Sequence, residues 1–340
     1  MYMGRGMGPF GQRSMTVLVT GAAGFIGYHT CARLLERGEK VIGIDNLNAY
    51  YDPALKDARL ARLAGHAGFV FHKADIADRA ALAAVAASHP DIDRYVNLAA
   101  QAGVRHSLTQ PFDYSRSNVE GHLAMLELAR ANPGCRHFVY ASSSSVYGAN
   151  TKLPFAVDDR VDNPISLYAA TKRAGELMSH SYSHLFRIPS TGLRFFTVYG
   201  PWGRPDMAAY LFAKAIVAGE PIRVFNNGDM RRDFTFVDDI VSGVVGVLDN
   251  PPADHGDAPP CRIYNIGNNR SERLMDFIGL VEQALGRKAN YQFEPMQPGD
   301  VKETYADISA IQREVGFAPT TPIAVGVPRF IEWFKAYHRV

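Results

Sequence analysis

The sequence predicts an α/β fold, a doubly wound parallel sheet with a smaller C-terminal lobe, and three observations carry that prediction. Short β-branched runs alternate with Ala/Leu-rich stretches from Met15 onward. A glycine triplet (Gly21, Gly24, Gly27) separates the first such run from the first helical stretch. After Tyr199 the alternation gives way to a Gly/Pro/Trp cluster, YGPWGRP. Strands separated by helical patterns are the mark of βαβ units. The predicted strands are residues 17–19, 40–44 (KVIGI), 68–72 (GFVFH), 95–98 (YVNL), 137–141 (HFVYA) and 190–196 (STGLRFF). A helix runs from the glycine turn through Leu35, and others cover 123–130 and, with a less clean apolar spacing, 169–183.

Composition sets the outer limits. The 340 residues suit roughly two domains of about 150 residues each. Apolar residues make up 47%, and 36 Lys+Arg against 34 Asp+Glu leave a net charge of +2. That balance excludes a disordered chain and a strongly basic nucleic-acid coat, so no nucleic-acid partner is expected. The three cysteines (Cys31, Cys135, Cys261) form no CxxC pair. They argue against a disulfide framework or zinc knuckle, so no metal is expected and a cytoplasmic location is. The uncharged run over 14–32 is broken by three glycines, three threonines and a histidine. It falls short of the roughly 20 apolar residues a membrane span needs, so no membrane partner is expected. The leader, residues 1–14, has arginines but no apolar core and reads as a flexible tail.

The glycine spacing GxxGxxG, in TGAAGFIG, suits a dinucleotide. Glycines let the backbone approach a pyrophosphate whose charge sits on the helix N-terminus, next to Phe25 and Ile26. Asp45 ends the second strand 18 residues after Gly27, where a carboxylate accepts from the adenosine ribose hydroxyls and repels a 2′-phosphate. No arginine follows in Asn46-Leu47-Asn48, which favours NAD over NADP. Asp75 and Ile76 fit a wall for adenine, and Leu98-Ala99-Ala100 a close pass beside the dinucleotide. These features define a Rossmann-type unit over 15–196, with 236–265 returning to it; 197–235 and 266–340 form the second lobe.

Tyr168 and Lys172 stand at i and i+4, on one face of a helix. A tyrosine titrates near 10, and a nearby cation favours its phenolate. Upstream, Ser142-Ser143-Ser144-Ser145 closes a strand and offers hydroxyls to share a sugar proton. Taken alone, YxxxK is more often a solvated helix face and a serine run more often a turn.

As a set, TGAAGFIG, Asp45, NLAA, SSSSVYG, YxxxK and RFFTVYGP resemble the extended short-chain dehydrogenase/reductase family from Met15 to near the end of the chain. The resemblance implies a triad of Ser143, Tyr168 and Lys172, with Lys172 also on the nicotinamide ribose, Ser142 beside the cofactor and Asn118 near the active site. Within that family the chain is similar to NAD-dependent nucleotide-sugar epimerases, in which a segment like Val224-Phe225 packs on uracil and an arginine at the place of Arg232 reaches the diphosphate. Finer features resemble the UDP-glucuronate 4-epimerase branch: the AQAGVR stretch, RFFTVYG, GPWGRPDMA and MQPGDV. They imply Thr197 and Arg204, next to Phe196, on the sugar carboxylate, Arg105 beside the sugar, and Asp300 near the nucleotide. Related dehydratases and decarboxylases carry acids where Ser144 and Ser145 stand, so these serines belong with epimerisation. The expected reaction interconverts UDP-glucuronate and UDP-galacturonate in a homodimer with tightly held NAD. Other UDP-sugars, decarboxylation to a pentose, and a non-catalytic NAD-sensing scaffold are the alternatives.

Overall fold

The computed structural model describes residues 15–297 and 300–340. The leader and the Pro298-Gly299 pair lie outside the described residues. The chain opens with β1 (Thr16–Thr20), α1 (Phe25–Glu36), β2 (Lys40–Asp45), α2 (Pro53–Leu63), β3 (Phe69–Lys73), α3 (Arg79–Ser88) and β4 (Arg94–Asn97). Two single turns, α4 (His106–Thr109) and α5 (Pro111–Tyr114), lead through a π-turn at Ser115–Glu120 into α6 (Gly121–Ala131), followed by β5 (His137–Ser143), α7 (Leu167–Phe186) and β6 (Ser190–Phe195). Next come β7 (Thr197–Tyr199), α8 (Ala208–Ala218), β8 (Pro221–Phe225), β9 (Arg231–Arg232), β10 (Phe234–Phe236), α9 (Val237–Asp249) and β11 (Cys261–Ile266). The chain ends with β12 (Glu272–Arg273), α10 (Leu274–Leu285), β13 (Asn290–Glu294), α11 (Ser309–Val315) and α12 (Ile323–His338).

Seven strands form one parallel sheet in the order β3-β2-β1-β4-β5-β6-β11. Its inner strands are covered on both faces, so β1 (TVLVT) and β6 (STGLRF) are buried at every position rather than at alternate ones. One face holds the core of Leu18, Ile42, Leu82, Met125 and Phe138 under α3 and α6. The other face packs α1 and α9 and runs without a break into the aromatic core of the second lobe. There Phe234 stacks on Phe277 with ring centroids 4.1 Å apart. Two-stranded pairs β7/β10, β8/β13 and β9/β12 frame that lobe, while β11 rejoins the main sheet beside β6.

Strand order reverses between β1 and β4, and in such sheets the crevice for ligands opens beyond the carboxyl ends of the strands flanking that point. Local sequence delivers the functional segments there. Helix α1 starts at Gly24 with no side-chain cap, leaving its first N–H groups facing the crevice. By contrast, Asp52, Asp78 and Ser166 cap α2, α3 and α7 with their own side chains.

Candidate active site

A cavity of about 1190 Å³ lies over the carboxyl edge of the sheet, between the sheet and the second lobe. It exceeds the roughly 300–1,000 Å³ of ordinary small-ligand pockets. Gly21, Gly24, Phe25, Ile26 and Gly27 form its floor. Gly21 sits at φ +70°, and a Cβ on it would lie 2.9 Å from the Ala99 nitrogen. A Cβ on Gly27 would come within 1.9 Å of the Gly21 carbonyl oxygen, so neither position admits a side chain. Asp45, Asn46, Asp75, Ile76, Leu98, Ala99 and Ala100 continue the wall. The bare turn, the uncapped helix start and the carboxylate of Asp45 together fit a dinucleotide with a free ribose diol.

Asp45 is 7% exposed. It accepts from the Ala23 N–H at 3.2 Å and the Leu47 N–H at 2.8 Å. Lys56 on α2, which sequence reading did not single out, reaches Asp45 at 3.8 Å and donates to Asn48. Two expectations shift. Asn118 does not line the cavity: its buried amide accepts from the Gln101 N–H at 2.8 Å and donates to the Gln101 carbonyl and Thr171 hydroxyl. It braces the wall from behind. Ser142 lines the cavity, but its hydroxyl donates to Glu176 at 2.6 Å.

Tyr168 and Lys172 both line the cavity from α7. The Lys172 ammonium donates to the Ala141 carbonyl at 2.9 Å and lies 6.0 Å from the Tyr168 ring centre. Burial pulls Lys172 down to about 8. Burial raises Tyr168 above its ordinary value, while a hydrogen bond from Ser143 and the charge of Arg204 pull it back. The phenol thus feels Arg204, whereas the sequence had assigned the cation's influence to Lys172. Ser143 ends β5; its hydroxyl accepts from the Ser145 N–H at 3.2 Å, and Ser144 and Ser145 also face the cavity. Tyr114 meets Tyr168 edge-on at 6.0 Å.

Phe196, Thr197 and Arg204 line the same end. Arg204 presents its Nε and Nη2 edge to Asp206, at 3.0 and 2.5 Å, and the Tyr50 hydroxyl donates to Asp206 at 2.9 Å. Neither Asp206 nor Tyr50 was anticipated. Asp206 stands two residues from Arg204 without any periodic signal, and Tyr50 joins only through tertiary contact. At the opposite end Phe225, Arg232 and Asp300 line the cavity, but Val224 is fully buried in the core because β8 alternates its faces. Arg105 lies over the Phe225 ring at 4.5 Å and pairs with Asp300 at 3.1 Å. Both partners of Arg105 thus belong to this end of the cavity. Arg232 donates to the carbonyls of Arg231 and Lys302.

The model of the NAD dependent epimerase/dehydratase family matches residues 17–267. The chain belongs to that family. Among its relatives, a probable UDP-glucuronate 4-epimerase of Rhizobium meliloti is 45% identical over 338 residues, spanning 96% of this chain and 98% of the relative. UDP-glucuronate 4-epimerase 3 of Arabidopsis thaliana is 45% identical, spanning 96% of this chain and 78% of its own length. A crystal structure of the UDP-glucuronic acid 4-epimerase from Bacillus cereus, in complex with UDP-glucuronic acid and NAD, shares the fold with a TM-score of 0.87 at 34% identity. That match covers 95% of this chain and 100% of the other. The resemblance to extended short-chain dehydrogenase/reductases therefore holds for this family member, as does its use of NAD. No helix among the described residues is long and apolar enough to cross a membrane.

Proposed function

We propose that the protein is an NAD-dependent UDP-glucuronate 4-epimerase. The observation that carries this reading is the shared cavity, which Arg204 and Thr197 line together with Ser143, Tyr168 and Lys172. In a hexuronate the C5 carboxylate adjoins the C4 carbon that bears the reacting hydroxyl, so a fixed cation beside the base suits that pair. The named relatives support the same substrate.

Bound NAD supplies a hydride acceptor that becomes the donor in the second half of the reaction. Tyr168 takes the C4 hydroxyl proton, with Ser143 sharing it, and returns it when the carbonyl is reduced. Lys172, anchored on Ala141, orients the helix face and the nicotinamide ribose. The 4-keto sugar turns over within the cavity and is reduced on its opposite face. Such a sugar is a β-keto acid prone to lose carbon dioxide. Thr197 and the free edge of Arg204 hold the carboxylate so that the breaking bond stays out of line with the carbonyl π system. Ser144 and Ser145 offer no carboxylic acid, which disfavours dehydration and decarboxylation.

Residues 15–196 with 236–265 are assigned to the NAD half, and 197–235 with 266–340 to the UDP-sugar lobe. Phe225 stacks the uracil, with Arg105, Arg232 and Asp300 around the diphosphate and base. The exposed Leu123, Leu177, Leu185 and Phe186 on α6 and α7 support a homodimer built as a four-helix bundle. A panel of UDP-glucuronate, UDP-N-acetylglucosaminuronate and UDP-glucose, with products separated after hydrolysis, tests the substrate. Galacturonate forming fastest is the expected result; a preference for a neutral hexose overturns the assignment.

A further inference from the structure

Arg59 on α2 is fully buried, yet its hydrogen-bond partners are all neutral. Its Nη1 donates to the Ala23 carbonyl, inside the glycine turn, and to the Tyr51 hydroxyl, both at 2.8 Å. Its other edge grips the second lobe: Nη2 and Nε donate to the Trp202 carbonyl at 2.6 and 3.2 Å, and Nη2 reaches the Gly203 carbonyl at 3.4 Å. One guanidinium therefore spans two chain segments 179 positions apart (Ala23 to Trp202), and the second leads directly into Arg204.

Neighbouring groups hold the same loop from the same side. His29, on α1 just past the glycine turn, shares a 2.9 Å hydrogen bond with the Pro201 carbonyl. Burial drops His29 to about 4, so the ring is neutral near pH 7 and its Nε2 is the donor to that carbonyl. Arg62 lies over the Trp202 ring at 5.3 Å. Three successive carbonyls, Pro201, Trp202 and Gly203, thus hang from the nucleotide-binding half. Trp202 sits in the left-handed region at φ +61°, an uncommon conformation for a residue with a side chain, and these bonds help to hold it. A buried cation bonded only to neutral oxygens has no charged partner among them, and an anion on the other side of the glycine turn would improve its position.

We propose that Arg59 is a positioning residue that ties the cofactor turn to the loop presenting Arg204, so that filling the dinucleotide site stiffens the carboxylate end of the sugar site. The glycine turn receives the diphosphate, Arg59 senses the turn through the Ala23 carbonyl, and its second edge sets the backbone from which Arg204 projects. Cofactor loading and carboxylate recognition are then coupled through one side chain. The inference rests on the reading of Arg204 as the carboxylate's partner.

The test is Arg59→Lys, which keeps the charge but cannot fork across both segments. The purified holoenzyme is titrated calorimetrically with UDP-glucuronate and with UDP, and its bound NAD is counted. The expected result is UDP affinity within about twofold of wild type, UDP-glucuronate affinity reduced about tenfold, as for loss of a well-placed charged hydrogen bond, and lower NAD content. Equal losses for UDP and UDP-glucuronate, or no loss for either, overturn the proposal. A second measurement needs no variant: hydrogen exchange in the wild-type peptide covering 198–207, with NAD bound and after its removal. Slower exchange with NAD supports the tether, and identical exchange overturns it. Should wild-type protein bind UDP-glucuronate no better than UDP, the substrate assignment fails, while the exchange experiment still judges the tether.

Discussion

Tyr168 works in a setting that opposes its ionisation, since burial raises it while Ser143 and Arg204 draw it back down. Two consequences follow at the level of single side chains. Tyr168→Phe, which removes only the hydroxyl, lowers kcat by about 10²–10⁴-fold, the usual share of general acid–base catalysis, and leaves bound NAD in place by absorbance after denaturation. Arg204→Ala removes a cation that favours the phenolate, so the protonated phenol gains and the acid limb of the kcat–pH profile moves to higher pH. The same variant releases the sugar carboxylate, and a UDP-pentose appears beside the epimer. A variant that epimerises normally, with an unmoved profile and no pentose, contradicts the clamp. Sequence motifs pointed to Tyr168, Lys172 and Arg204, each within a short local pattern, and the fold brings all three to one cavity. They did not single out Asp206, two residues along, which pairs with Arg204, or Tyr50, which reaches Asp206 only through the folded chain. Nor did they indicate that Asn118 would use its whole amide on Gln101 and Thr171.

Helix α7 presents two different faces, and its 20 residues were readable as an element while their setting was not. Tyr168 and Lys172 face the cavity, while Leu177 and Leu185 are 53% and 66% exposed, a poor arrangement for a lone surface. Leu177→Glu should therefore convert a dimer into monomers by sedimentation equilibrium; wild-type protein that is already monomeric contradicts the four-helix bundle. The glycine turn was legible for a steric reason: any Cβ on Gly27 strikes the Gly21 carbonyl. Gly27→Ala is accordingly expected to emerge from purification without NAD. Strand β8 misled in one respect, because PIRVF alternates and only one of Val224 and Phe225 can face the ligand. The placement of Arg105 on Phe225 and Asp300 depends on two distant segments meeting across the cavity, which spacing alone does not encode.

For the molecule as a whole, the sheet and its helices followed from alternating patterns, whereas the second lobe, assembled from short strand pairs and separate stretches of chain, left little periodic trace. Buried histidines give the assembled protein a pH signature. Burial lowers His29 and His137 to about 4 and His122 to about 3. The unfolded chain binds protons below about 6.5 that the folded chain refuses, so stability is full above that pH and is lost as pH falls toward 4. Three such groups make the histidine share of the slope at most about 4 kcal/mol per pH unit. Denaturant midpoints between pH 7 and 4.5 check this, and a flat profile contradicts it. The most direct test of the account is incubation of the purified protein with UDP-glucuronate deuterated at C4, without added NAD. It predicts UDP-galacturonate with the deuterium retained at C4, because the same hydride leaves and returns within one bound cofactor. Absence of that product, or deuterium lost from C4, would contradict it.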